Sequence, residues 1–316
     1  MIHSEKANKL IEIYMFVCDR FDKGLKNLCM RHSNNSNPRF TDEEVLAVHL
    51  FCGACEKGLR VKDKHTFAKE YLSDWFPLLP SYQTFNKRLN MLAGVLEELA
   101  KDILISFKPA YVDDVDSLVD SMPIVTCAGR NRTGKVAREI TDKGRCATKN
   151  MYYYGLKLHM LGHRVKGSIP YPEMISITPA SENDGTIFKR DFAHALYNKN
   201  VFGDKIYKDK EFYTDLEHSQ NLRMFTPCKA VKEEHLVIKQ HEQAYRDLYS
   251  RAVSAVRQPV ESFFNWLNEK NINSKSALCP FNGRPYRSCD GSYRHRIHVF
   301  DFQLLIRIIN KSLPQI

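Results

Sequence analysis

The chain changes its periodicity once, near residue 108, and that change constrains the fold more than any other feature. Up to about residue 107 the apolar residues recur at helical spacing. Leu10, Ile11, Tyr14 and Cys18 form one such set, and Thr41-Asp42-Glu43-Glu44 is a capping box before Val45, Leu46, Val48, Leu50 and Phe51. After a break at Leu79-Pro80-Ser81, an amphipathic run from Tyr82 to Ile105 is carried by Phe85, Leu89, Leu92, Val95 and Leu99. Lys108-Pro109-Ala110 and the acidic Asp113-Asp114-Val115-Asp116 then form a boundary. Beyond it the pattern predicts strands over 118–124, 152–160, 174–178, 201–207 and 222–226, with helices over 187–197, 209–218 and 240–269. The expectation is an α/β domain over 111–316, a five-stranded sheet flanked by helices, preceded by an all-helical region over 1–110.

A chain of 316 residues can bury one large core or two modest ones. Its net charge of +10 suits a polyanionic partner, although such a balance is also common in soluble proteins. No apolar run approaches the roughly 18 residues of a membrane span, and the start of the chain lacks a signal-peptide pattern, so the expected location is cytoplasmic. Nine scattered cysteines do not make a disulfide framework. Cys52 and Cys55 have zinc-like spacing, but no second pair answers them, and they read as core thiols.

The chemistry-bearing feature is a set of acids on separate elements. Val201-Phe202-Gly203-Asp204 reads as a buried strand that ends on a carboxylate, with Gly203 allowing close backbone approach. Asp120 lies in the apolar run over 118–124, and Glu261 on the helical pattern after Arg257. An aspartate at a strand end is ordinarily a turn residue. Three carboxylates on three elements suggest a metal site. Pro259 lacks a backbone donor, so a kink or helix restart is expected there, and a restart would place Glu261 in a first turn.

Taken together, Val119-Asp120-Ser121-Met122-Pro123-Ile124, Tyr154-Gly155-Leu156-Lys157-Leu158-His159, Gly203-Asp204-Lys205-Ile206-Tyr207 and Arg257-Gln258-Pro259-Val260-Glu261-Ser262-Phe263-Phe264 resemble the DDE transposases of bacterial insertion sequences. The resemblance implies an RNase H-like fold with a mixed sheet. It carries Asp120, Asp204 and Glu261 onto the acidic triad, and Arg257 onto the arginine one turn before the glutamate. The interval from Asp204 to Glu261 leaves little room for a large inserted domain. The sequence departs from the extended signature at two places: Ser254 and Asn268 stand where relatives have a tyrosine and a lysine, with Lys270 two positions further on. The implied cofactor is Mg²⁺, with Mn²⁺ able to substitute, as two ions clamping the attacking and leaving oxygens of an in-line displacement. The implied partner is double-stranded DNA, both element ends and target, with synapsis by a dimer or larger assembly at the nucleoid.

The remaining basic features are open to two readings each. The run between Gly129 and Asn150, which includes Lys149, is a solvated loop or a DNA contact. Lys157 and His159 alternate on one strand face and point to a scissile phosphate or serve the fold; Lys205 adjoins Asp204, and Lys270 is a further DNA-binding candidate. Lys87 and Arg88, on an exposed helix face, would suit DNA-end binding. Asp184 reads as the cap of a helix from Gly185. Arg284, Arg287, Arg294 and Arg296 make a basic C-terminal extension before a helix over 299–309. Rival functions are a nuclease of the same fold that does not join strands and a DNA-binding descendant without catalysis. A tyrosine-dependent nuclease is disfavoured by the spacing of His295 and His298.

Overall fold

The computed structural model describes residues 2–29, 37–54, 61–112, 114–128, 140–146, 150–228 and 236–269. They fall into two compact units that divide between Phe107 and Lys108. The helix expected over 299–309 and the basic C-terminal extension lie outside the described residues.

The first unit is helical: α1 (Ser4–Asp22), a 3-10 turn (Leu25–Cys29), α2 (Asp42–Ala54), α3 (Val61–Tyr71), α4 (Tyr82–Met91) and α5 (Ala93–Ser106). The capping box of α2 forms in both directions, with Thr41 N–H donating to Glu44 Oε2 at 2.6 Å and Glu44 N–H to Thr41 Oγ1 at 3.3 Å. The amphipathic run expected over 82–105 as one helix is two. Leu92, at φ −86° and ψ 13°, leaves the helical region, and Gly94, a poor helix former, follows. Cys52 is buried, as expected of a core thiol. Arg88 corrects an expectation: it is not on an exposed face. It is 9% exposed and forks onto Asp42, Nε to Oδ1 at 2.6 Å and Nη2 to Oδ2 at 2.5 Å, while Nη2 also reaches the Cys29 carbonyl. A cation can be buried only with such partners.

The second unit is a mixed sheet with helices. Its strands are β1 (Asp116–Ala128), β2 (Asp142–Cys146), β3 (Met151–His163), β4 (Tyr171–Pro179), β5 (Lys199–Phe202) and β6 (Leu222–Phe225). Between β4 and β5 run the one-turn helix α6 (Asp184–Ile187), a π turn and a 3-10 turn; α7 (Lys210–Gln220) links β5 to β6. α8 (Leu236–Arg257) and α9 (Pro259–Glu269) follow. β3 pairs antiparallel with β1, β2 and β4, whereas β1–β5 and β5–β6 are parallel. This is the expected mixed α/β architecture with one strand added. β2 lies in the basic run read as loop, because Asp-Lys-Gly-Arg-Cys carries no alternating apolar pattern. It is held by its ladder to β3, from Asp142 opposite Gly155 to Cys146 opposite Met151.

One face of the sheet packs Val119, Leu161 and Val201 against Phe188, Phe192, Leu196, Tyr207 and Tyr213. Burial of these side chains supplies the main stabilisation of this layer. Val260, Phe263 and Leu267 are the buried stripe of α9, at the spacing of one helix face. Beyond Leu118, β1 has β3 on one side and no β5 partner on the other, and Pro123 falls in this half-paired stretch.

Candidate active site

The site begins with the parallel register of β1 and β5. Asp116 lies opposite Asn200, Ser117 opposite Val201 and Leu118 opposite Phe202. Continued by two residues, that register brings Asp204 level with Asp120 where the chain leaves β5. Adjacent strands lie about 4.8 Å apart. Gly203 permits the approach: a Cβ there would lie 2.8 Å from Tyr207 Cδ2 and 3.0 Å from Val119 Cγ1. Asp204 then caps the 3-10 turn Lys205–Tyr207, its Oδ1 accepting from Lys205 N–H at 2.6 Å. Successive strand residues face opposite ways, so Val119 enters the core while Asp120 faces the junction of α8 and α9.

That junction is the restart expected at Pro259. α8 ends at Arg257, and Glu261 sits in the first turn of α9, its N–H bonded to the Gln258 carbonyl at 3.0 Å. A cation at a helix C-terminus and an anion at a helix N-terminus each complement the local dipole. Arg257 connects the acids: Nη1 donates to Asp120 Oδ2 at 2.5 Å and Nη2 to Glu261 Oε1 at 2.9 Å. The buried Nε of Arg257 has no acceptor among the described residues.

Burial pushes the Asp120 carboxyl up to about 6, against the lowering effects of Arg257 and of the Ser121 N–H bond, with Asp184 and Asp204 adding negative charge. Asp184 is an acid whose position near this group was missed. The cap expected from it comes instead from Asn183, whose Oδ1 accepts from Gly185 and Thr186 N–H. Asp184 is the first residue of α6 and accepts from Lys157 Nζ at 3.0 Å, while Lys157 also donates to the Glu182 carbonyl at 2.8 Å. His159 Nε2 meets Thr178 Oγ1 at 2.9 Å, and its Nδ1 lies 3.7 Å from Asp184. Burial lowers His159 to about 4, so the ring is neutral at pH 7. Lys157 and His159 share a pleat face with Leu161 and Val119, the face opposite to that of Asp120. The signal in the sequence was their alternation, read together with the acid that follows the third strand.

Lys205 is exposed beside Asp204. Lys149 and Lys270 lie outside the described residues. Among the described residues, no three His, Cys, Asp or Glu side chains are gathered as ion ligands. The donor chemistry nevertheless suits a hard divalent cation: the three acids are carboxylates, and Asp120 carries the strain of buried negative charge that a cation relieves. Arg257 meets two of these carboxylates directly. No described helix is long and apolar enough to cross a membrane.

Neither a curated protein nor a solved structure matches the chain. A family model described as a transposase DDE domain matches residues 112–263, a span that runs from just before β1 into α9 and contains Asp120, Asp204, Arg257 and Glu261. Proteins of that family generally use divalent metal ions and bind DNA. This match over residues 112–263 supports a DDE transposase.

Proposed function

We propose that this protein cleaves DNA at the ends of a mobile element and joins the freed 3′ ends to target DNA, with Asp120, Asp204 and Glu261 as the catalytic carboxylates. The observation that carries this reading is the Arg257 bridge, which ties an acid of the central strand, 137 residues before the arginine in sequence, to an acid of the last described helix. Held by these three carboxylates, Mg²⁺ or Mn²⁺ ions would activate the attacking oxygen and neutralise charge on the leaving oxygen. The chain's own contribution is placement. β1 fixes Asp120, the capped turn after Gly203 fixes Asp204, and the start of α9 brings Glu261 to their side. Arg257 and Lys205 supply positive charge for the DNA backbone beside the acids. Lys149 and Lys270 are further candidates for backbone contact. Water is the nucleophile in the first step and the new 3′ hydroxyl in the second, so neither a covalent protein–DNA intermediate nor ATP is required. Work on two DNA ends at once calls for at least two copies of the chain.

The test incubates the purified protein with Mg²⁺ or Mn²⁺ and labelled DNA from both flanks of its own gene, beside Asp204→Asn. Metal-dependent 3′-end cleavage and joining by the unaltered protein alone is the expected result. Cleavage without joining would make it a nuclease, and cleavage that survives Asp204→Asn would remove that residue from the site.

A further inference from the structure

Arg257 is poorly satisfied where it sits. A guanidinium offers five donors, and its strongest complement is the two-pronged grip of one carboxylate or phosphate. Here one arm goes to Asp120, the other to Glu261, and the buried Nε has no acceptor among the described residues. The charges are unbalanced as well. One cation faces two carboxylates, with Asp184 and Asp204 close enough to act on Asp120. The contacts are also separable. Asp120 Oδ1 is engaged by the Ser121 N–H, and Oδ2 is the oxygen that holds Arg257. Arg257 is the last residue of α8, before the break at Gln258, so its side chain can change partners while α9 keeps Glu261 in place.

From this geometry we propose that Arg257 and a divalent cation are alternative partners of Asp120 and Glu261. Binding of the ion displaces the guanidinium, which then grips a DNA phosphate. The proposal rests on the reading of these carboxylates as ion ligands. Its consequence is reciprocal coupling: DNA that occupies the freed arginine tightens ion binding, and the ion tightens DNA binding by the same factor. Without DNA, Arg257 is an internal competitor that keeps the acids from taking up the ion.

Calorimetric titration of Mn²⁺ into the metal-free full-length protein tests this without any turnover. The proteins are the unaltered chain, Arg257→Gln, Arg257→Lys, Asp120→Asn and Asp204→Asn, each checked for folding by circular dichroism. Without DNA, Arg257→Gln is expected to bind Mn²⁺ at least tenfold more tightly than the unaltered chain. Arg257→Lys, which cannot span both acids, falls between them and decides the matter if the glutamine variant does not fold. With a duplex from the gene's flank, Mn²⁺ binding to the unaltered chain tightens and binding to Arg257→Gln does not. Equal or weaker Mn²⁺ binding by both arginine variants would overturn the exchange and make Arg257 a residue that positions the carboxylates. If Asp120→Asn and Asp204→Asn bind Mn²⁺ as well as the unaltered chain, the ion-ligand reading itself fails, and the exchange with it.

Discussion

Gly203 and Tyr207 touch so closely that the glycine has no room for a side chain: an added Cβ would lie 2.8 Å from the ring's Cδ2. Tyr207 is itself enclosed by Phe188 and the rest of the sheet core and cannot retreat. Gly203→Ala is therefore expected to destabilise the protein by about 1–3 kcal/mol, the usual effect of overpacking. Because Asp204 is the next residue, the same change should also reduce cleavage more than it reduces DNA binding. Urea unfolding and a cleavage assay on the same samples check both halves.

Asp42 and Arg88 form a buried, two-pronged ion pair in the helical unit. Loss of one partner strands a charge in a site built for two, so Arg88→Met should cost about 3–5 kcal/mol. The double change Asp42→Leu with Arg88→Met should cost far less than the single one. A double-mutant cycle by urea denaturation reads the coupling. If Arg88→Met leaves stability intact and weakens DNA binding, Arg88 serves DNA and the pair does not hold the fold.

The Asp120 carboxyl, raised from 3.8 to about 6, sets the sign of a pH effect in metal-free protein. A raised carboxyl favours the folded state while protonated, and that stability is lost as pH rises through about 6. Between pH 4 and pH 7.5 the unaltered protein should lose about 2 kcal/mol relative to Asp120→Asn, which has no charge to bury. Urea midpoints in EDTA at the two pH values measure it. A difference that runs the other way would mean that Arg257 outweighs burial.

Lys157 bonds the Glu182 carbonyl and Asp184 on the core side of β3. Lys157→Met should cost about 2–3 kcal/mol by stranding the Asp184 carboxylate, with part of the loss regained on adding Asp184→Asn. DNA affinity, measured in the Asp204→Asn background, should stay within about twofold. A large fall in affinity at unchanged stability would instead make Lys157 a DNA contact.

The features legible in the sequence are those in which one residue type dictates one conformation. Pro259 cannot donate, so the helix had to restart there, and Thr41 with Glu44 announced the start of α2. The fold class followed from periodicity, since the strands of the sheet other than β2 carry apolar runs. β2 did not, because it pairs through a backbone ladder that needs no apolar pattern and its five residues include one glycine and three charges. Partner choice was illegible for the same kind of reason. Arg88, Lys157 and His159 have the types of exposed, DNA-facing residues, and only the chain's path shows Arg88 on Asp42 and Lys157 on Asp184. Asp184 looked like a cap beside Asn183, a residue equally suited to that place, and the two divided the work.

The parallel pairing of β1 with β5 also governs when these acids can meet. β1, β3 and β4 join through antiparallel ladders over shorter separations in sequence, the contacts that form with the smaller loss of chain entropy. The β1–β5 ladder closes a far longer stretch, and it supplies the alignment of Asp120 with Asp204. A nascent chain halted before residue 200 can thus assemble an antiparallel ribbon but not the pair of aspartates. The acidic centre therefore depends on the ladder that is costlier in chain entropy to close.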